Sequence, residues 1–258
     1  GAGQGVSAGA ECRIRMSTTT STENSGLLAR LLPPFEETWG CKVDVIAVGT
    51  GKALRLGANG DVDVVLVHAR PAEDKFVADG YGVNRRDVMH NDFVVLGPPA
   101  DPAGVRGSGS AAEALRRIAR AEAPFVSRGD DSGTHKKELG LWAAAGLKPK
   151  GSWYKEAGQG MGPVLLMAHE LGAYTLSDRG TYLAFRDKLD LTVVFEGDPA
   201  LANPYGVIAV NPARYPHVNY EGAMLLIGYL TGPRGQRIIK GFQKGGELLF
   251  FPDAIPDP

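Results

Sequence analysis

Several absences narrow the reading of this 258-residue sequence. Its 28 basic and 29 acidic residues leave a formal charge of -1 with no long run of either sign. The doublets Arg116-Arg117 and Lys136-Lys137 read as solvated helix faces, so a nucleic-acid partner is not expected. No segment reaches the about 18 consecutive apolar residues of a membrane span, because Gly and charged residues interrupt every candidate. The five histidines show no HExxH or other metal spacing, and they read as surface or capping groups. No G-x-S-x-G elbow is present, so Ser132 beside His135 lacks the context of a serine nucleophile, and an enzyme is not expected. Internal repeats and low-complexity tracts are missing as well. The chain opens Gly1-Ala2-Gly3-Gln4-Gly5 without an initiator Met. That start is expected to be processed or engineered, so the absence of an export signal decides nothing about compartment.

What is present begins with Ser127-Arg128-Gly129-Asp130-Asp131-Ser132-Gly133-Thr134. The stretch follows an apolar strand-like run at 124–126 and precedes helically spaced apolar residues over 136–145. A strand-to-helix turn gathers unpaired backbone N–H groups and the positive end of a helix dipole, and here it adds a guanidinium and three hydroxyl side chains. Such a turn suits an oxyanion. The other reading is a Gly-containing turn whose Asp131 or Ser132 merely caps the helix while Arg128 lies on the surface.

A second feature is the run Ser17-Thr18-Thr19-Thr20-Ser21-Thr22, which follows the first predicted strand at 13–17. One capping loop needs fewer than six hydroxyls. The second strand, 43–48, ends in Gly49-Thr50-Gly51-Lys52-Ala53. A phosphate loop would need Gly where Ile46 stands and a hydroxyl where Ala53 stands, which argues against ATP. The turn can still offer an anion its N–H groups and one hydroxyl. A third strand at 62–67 completes a set of three parallel strands with crossover helices, an open α/β sheet whose ligand edge is at the strands' C-terminal ends. Pro33-Pro34 either interrupts the helix at 25–32 or lets it continue over 35–39.

Further strands are predicted at 93–96, 173–176, 193–196 and 205–210, and further helices at 73–79, 111–121, 158–171, 180–185, 221–230 and 233–242. The apolar strands 93–96 and 205–210 make natural crossings between two lobes. Lobe I then comprises 1–98 plus 204–258, and lobe II comprises 99–203. Cys12 and Cys41 open the first two strands, and a disulfide there is geometrically reasonable, with an oxidising compartment as its implication. Two reduced, buried cysteines are the alternative.

Together, Thr18-Thr19-Thr20-Ser21, Gly49-Thr50-Gly51 and the 127–134 stretch resemble the motifs of tungstate-binding proteins of the TupA type. These are extracytoplasmic solute-binding proteins of bacterial and archaeal ABC importers, and the resemblance extends from about Arg13 to Phe251. It implies a two-lobed type II periplasmic-binding-protein fold. Each lobe would be an α/β unit with a central, mostly parallel sheet flanked by helices, and the ligand would lie in the cleft between lobes. It implies anion contacts from Thr19, Thr20, Ser21 and Thr50 in lobe I and from Arg128 and Thr134 in lobe II. No cofactor is implied, and no metal beyond the tungsten of the oxyanion. The implied partners are tungstate and the membrane permease of an ABC transporter. A monomer in the periplasm or outside the cell, held at the membrane through the transporter, completes the expectation.

The physics fits such a ligand. A dianion that loses its hydration must be met by many oriented donors. Arg128 would supply a planar, permanently charged fork, and helix N-termini roughly half a charge each. Asp130 and Asp131 would repel the ligand, so their carboxylates are expected to turn towards Arg128, Lys136 or Lys137, or into a helix cap. Competing readings are a binding protein for molybdate, phosphate or sulfate, and, from a different class, a serine hydrolase.

Overall fold

The computed structural model describes residues 11–258, and the Gly-rich start lies outside them. The first elements are β1 (Cys12–Thr19), α1 (Thr20–Asn24), α2 (Leu27–Trp39), β2 (Cys41–Val48), α3 (Thr50–Ala58), β3 (Val64–Val67), α4 (Arg70–Ala78) and β4 (Gly82–Gly97). Next come α5 (Ala111–Ala121), β5 (Phe125–Ser127), α6 (Gly133–Ala144), β6 (Tyr154–Glu156) and α7 (Met161–Leu171). They are followed by β7 (Tyr174–Asp178), α8 (Arg179–Phe185), β8 (Thr192–Phe195) and β9 (Ala202–Val210). The C-terminal part adds α9 (Tyr220–Thr231), α10 (Pro233–Gly241), β10 (Gln243–Lys244), β11 (Glu247–Leu248) and β12 (Phe251–Pro252).

These elements form two compact units. Unit 1 holds the residues up to His90 together with Pro204–Phe242 and Phe250–Pro258, and unit 2 holds Asn91–Asn203 and Gln243–Leu249. The first crossing therefore falls at His90/Asn91 rather than at residue 98. It lies inside β4, a 16-residue strand whose polar first half, Asn84-Arg85-Arg86-Asp87, hides its strand character from apolar patterning. Residues 243–249, expected in lobe I, group with unit 2. The Arg186 guanidinium donates to Gly245 O and Glu247 Oε2, both at 3.0 Å, and tethers that hairpin to the turn directly after α8.

In unit 1, β1 pairs in parallel with β2 on one side and β3 on the other, and β9 adds antiparallel to β3. Four- to eight-residue apolar strands joined by helices can bury both faces only in such a covered sheet. One face packs against α2, which buries Leu27, Leu28, Leu31, Leu32 and Phe35. Pro33 and Pro34 sit inside this helix without ending it. The carbonyls that their missing N–H groups leave unbonded belong to Ala29 and Arg30, on the exposed side where water can meet them. On the other face Ala53, Leu54, Val65, Val67, Phe76, Ile208 and Val210 form a core under α3 and α4. Cys12 and Cys41 are register partners in β1 and β2, and their sulfurs are bonded.

In unit 2, β5 lies between β6 and β7 and runs parallel to both, while β4 pairs antiparallel with β7 and β8. Its sheet is covered on both faces. Val95, Leu115, Ile118, Phe125, Trp142 and Tyr174 lie in one core, and Val94, Leu96, Val126, Val164 and Leu165 in the other. Alternation along β4 and β5 assigns neighbouring residues to opposite cores, as the two-residue strand period requires. No helix among the described residues is long and apolar enough to cross a membrane.

Candidate functional site: two sets of anion donors

The donors of unit 1 gather at the C-terminal edge of its parallel strands. Thr19 is the last residue of β1, and its register partner is Val48, so Thr50 opens α3 just beyond the neighbouring strand end. Thr18 pairs with Leu66, which brings His68 to the same edge from β3. Thr19 is buried, Thr50 is half-buried, and Thr20 and Ser21 are exposed. Two hydroxyls of the run are spent on backbone carbonyls. Ser17 Oγ donates to Ala53 O at 2.9 Å and Thr18 Oγ1 to Leu66 O at 2.7 Å, so both act as internal braces. Thr19 caps α1 by accepting from Thr22 N–H. Its Oγ1 also lies 2.6 Å from Thr22 Oγ1, 3.1 Å from Ser21 Oγ and 3.0 Å from His68 Nε2.

The start of α3 has a different character. Its N-cap is Gly49, no side chain caps it, and no acidic residue stands in its first turn. Its leading N–H groups therefore keep their positive potential for an outside acceptor.

In unit 2, Arg128 and Thr134 share the turn that leaves β5. Gly129 and Asp131 take left-handed conformations, with φ of 57° and 59°, which fold the chain back tightly enough to start α6. The cap is Ser132, whose Oγ accepts from His135 N–H at 3.2 Å. Asp131 is not the cap; its own N–H donates to His135 Nδ1 at 3.0 Å. This arrangement leaves the N–H groups of Gly133 and Thr134 outside the cap, and no acidic residue stands in the first turn of α6. Thr134 and Arg128 are half-buried.

Arg128 is oriented from two sides. Its Nη2 donates to Asp130 Oδ2 at 2.7 Å and its Nε to Gln159 O at 3.3 Å. Asp130 Oδ1 accepts from Ser132 Oγ at 2.6 Å and from Ser132 N–H at 3.2 Å. Burial alone would raise the Asp130 carboxyl, but the bonds from Ser132 and Arg128 outweigh it and hold the group below its ordinary value. Asp130 thus turns inwards. Behind the turn, the buried Glu138 accepts from Trp142 Nε1 at 2.9 Å and from Tyr154 OH, and burial pushes its carboxyl up. Lys137 is held below the usual ammonium range by burial and lies over the Phe93 ring, 6.0 Å from its centroid.

Two features beside the candidate donors were not legible in the sequence. His68, taken for a surface or capping group, bonds Thr19 and packs on the buried Tyr205, ring centroids 4.6 Å apart. Its place directly after a parallel strand was the available signal. The second is the 157–160 segment, read as helix from residue 158. Gly158 has a φ of 62°, Gln159 O receives Arg128, and α7 begins only at Met161, after an N-cap Gly160 with no side-chain cap. Among the described residues, no group of three or more His, Cys, Asp or Glu is placed to hold a metal ion.

Comparison with known proteins places the chain in a family. Residues 6–234 match the PBP superfamily domain. The tungstate-binding protein TupA of Peptoclostridium acidaminophilum is 47% identical over 245 residues, which covers 93% of this chain and 86% of that protein. The solved tungstate-binding protein TupA of Desulfovibrio alaskensis G20 is 45% identical, with a TM-score of 0.91 over 95% of this chain and 100% of that one. The solved tungstate ABC transporter protein of Geobacter sulfurreducens is 64% identical, with a TM-score of 0.75 over 90% of this chain and 100% of that one. The chain belongs to the PBP superfamily, in the group that contains the TupA proteins.

Proposed function

We propose that this chain is the extracytoplasmic solute-binding component of an ABC importer and that its ligand is tungstate. One observation carries the reading. Each unit opens a helix at the C-terminal edge of parallel strands, α3 in one and α6 in the other, with leading N–H groups outside any side-chain cap, an adjacent Thr, and no acid in the first turn. Two such helix starts supply partial positive charge and oriented donors with no acid inside either first turn, and the one carboxylate bonded at the α6 turn, Asp130, is turned to Arg128 and Ser132. Thr19, Thr20, Ser21 and Thr50 are the proposed contacts from unit 1, and Arg128 and Thr134 those from unit 2. Arg128 provides a guanidinium whose charge Asp130 partly offsets. No cofactor enters, and the protein performs no reaction on the anion.

The relatives' names support the choice of tungstate and the transporter setting. The Cys12–Cys41 bond supports an oxidising compartment, periplasmic or extracellular. The partner is a membrane permease, which receives the ligand from a monomeric binding protein. Isothermal titration with tungstate, molybdate, sulfate and phosphate at one pH tests the ligand. Saturable 1:1 heat with tungstate, and none with phosphate, is the expected result. Molybdate has the same charge and nearly the same size, so a second saturable isotherm there leaves the reading intact. Saturation with sulfate or phosphate and none with tungstate would overturn it. Light scattering of the purified chain checks the monomer.

A further inference from the structure

The hydroxyl of Thr19 has more neighbours than it can serve in both directions. A hydroxyl oxygen gives one proton and accepts with two lone pairs. Thr19 Oγ1 accepts the Thr22 N–H at 3.3 Å, which fills one lone pair. Three groups then contend for its proton and its other lone pair: Thr22 Oγ1 at 2.6 Å, Ser21 Oγ at 3.1 Å and His68 Nε2 at 3.0 Å. The state of His68 decides among them. If Nε2 is bare, Thr19 must spend its proton on the imidazole, and a proton from Ser21 or Thr22 is drawn inwards to fill the remaining lone pair. If Nε2 carries a proton, it fills that lone pair itself. Thr19 then donates to Ser21 or Thr22, and neither can donate back.

We infer that His68 is a positioning residue that donates from Nε2–H to Thr19 and so shuts the Ser21 hydroxyl out as a donor to Thr19, leaving its proton for the anion. The inference rests on the proposed oxyanion ligand and deepens it. An oxyanion has only acceptors, so a hydroxyl whose proton is held inside the protein offers it repulsion rather than a bond. Thr19 is buried and Ser21 exposed, so the outward proton appears where a ligand can reach it. The imidazole also packs, tilted by 35°, on Tyr205, a fully buried side chain at the start of the apolar part of β9. The ring reaches Thr19 from a different strand, so this control over the hydroxyl run is not encoded locally in it.

Three measurements test this. The first, on ligand-free protein, is the 15N spectrum of the His68 imidazole, which should show the proton on Nε2; a bare Nε2 overturns the inference. The second is tungstate affinity by titration for His68→Gln, which keeps a donor in reach, and for His68→Phe, which keeps the ring packing and removes the donor. Gln should stay within a few-fold of the parent, while Phe should lose about tenfold or more, the range of a lost bond to a charged acceptor. Equal losses in both, or none in Phe, would overturn the inference. The third repeats His68→Phe in a Thr19→Val background. A further loss there as large as in the parent would show that His68 does not act through Thr19. A parent that binds no tungstate would refute the ligand instead, and the spectrum would still decide the donor.

Discussion

Arg128 Nη2 donates to Asp130 Oδ2 at 2.7 Å, so the guanidinium that the 127–134 turn presents is already paired within that turn. Ser132 holds the other carboxylate oxygen, and Gln159 O holds the Arg128 Nε. The pair sets the direction of the guanidinium before any ligand arrives. It also offsets its formal charge, so the helix start and hydroxyls must supply more of the attraction than an isolated Arg would leave to them.

Replacing Arg128 tests the proposed site. Lys keeps the charge and loses the planar fork, whereas Gln keeps some hydrogen bonding and loses the charge. Tungstate affinity should therefore fall further in Arg128→Gln than in Arg128→Lys. The Gln cost should be on the order of 2–5 kcal/mol, as for truncating one partner of a buried charge pair. Titration of both variants under identical salt checks the order. Parent-like binding by the Gln variant would place Arg128 outside the site.

The disulfide closes a loop with a sequence separation of 29 residues between register partners of β1 and β2. In the chain-entropy model such a loop contributes about 3–4 kcal/mol by restricting the unfolded chain. The Cys12→Ser, Cys41→Ser double variant should lose close to that amount in urea unfolding. Tungstate affinity should hold, because the bond lies at the opposite strand ends from Thr19 and Thr50. Two alkylatable thiols in the freshly purified, unreduced parent would refute the pairing.

Glu138 gives a pH dependence whose sign is fixed. Burial raises its carboxyl, and the bonds from Ser127, Tyr154 and Trp142 only partly offset this. The folded state keeps that proton longer than the unfolded one, so the group's contribution is greatest below the ordinary value of 4.5 and declines as pH rises through the window above it. The parent should lose stability relative to Glu138→Gln across that window. Glu138→Leu should cost about 1–3 kcal/mol for each donor it strands, Trp142 Nε1–H and Tyr154 O–H. Urea unfolding at a series of pH values measures both.

Gly206 marks a close approach of β9 to a buried ion pair. A Cβ there would collide with Glu73 Oε1 and Arg85 Nη2, and Glu73 and Arg85 are themselves joined at 2.9 Å. Gly206→Ala should destabilise by about 1–3 kcal/mol through overpacking alone, and by more if the pair separates. A melting temperature equal to that of the parent would show that the pair can move aside.

The sequence by itself determined the elements whose signals are local. Three apolar strands with crossover helices were legible as a parallel set, whose order β2-β1-β3 the structure supplies, and Ala111–Ala121 was legible as a helix with its boundaries intact. The hydroxyl run, the Gly-Thr-Gly turn and the 127–134 turn were legible because strand-to-helix junctions need residue types that apolar periodicity does not supply. Tertiary structure decided what depends on distant partners. Only the apolar end of the sixteen-residue β4, 93–96, was legible, because its first half carries the polar run Asn84-Arg85-Arg86-Asp87. Ser132 rather than Asp131 is the cap, and Asp131 takes a left-handed conformation with its N–H bonded to His135. His68 came to Thr19 from 49 residues away, through strand register alone. A hydroxyl run announces that donors are present, but only the packed neighbours fix where each proton points, because a hydroxyl rotor has no preferred direction of its own.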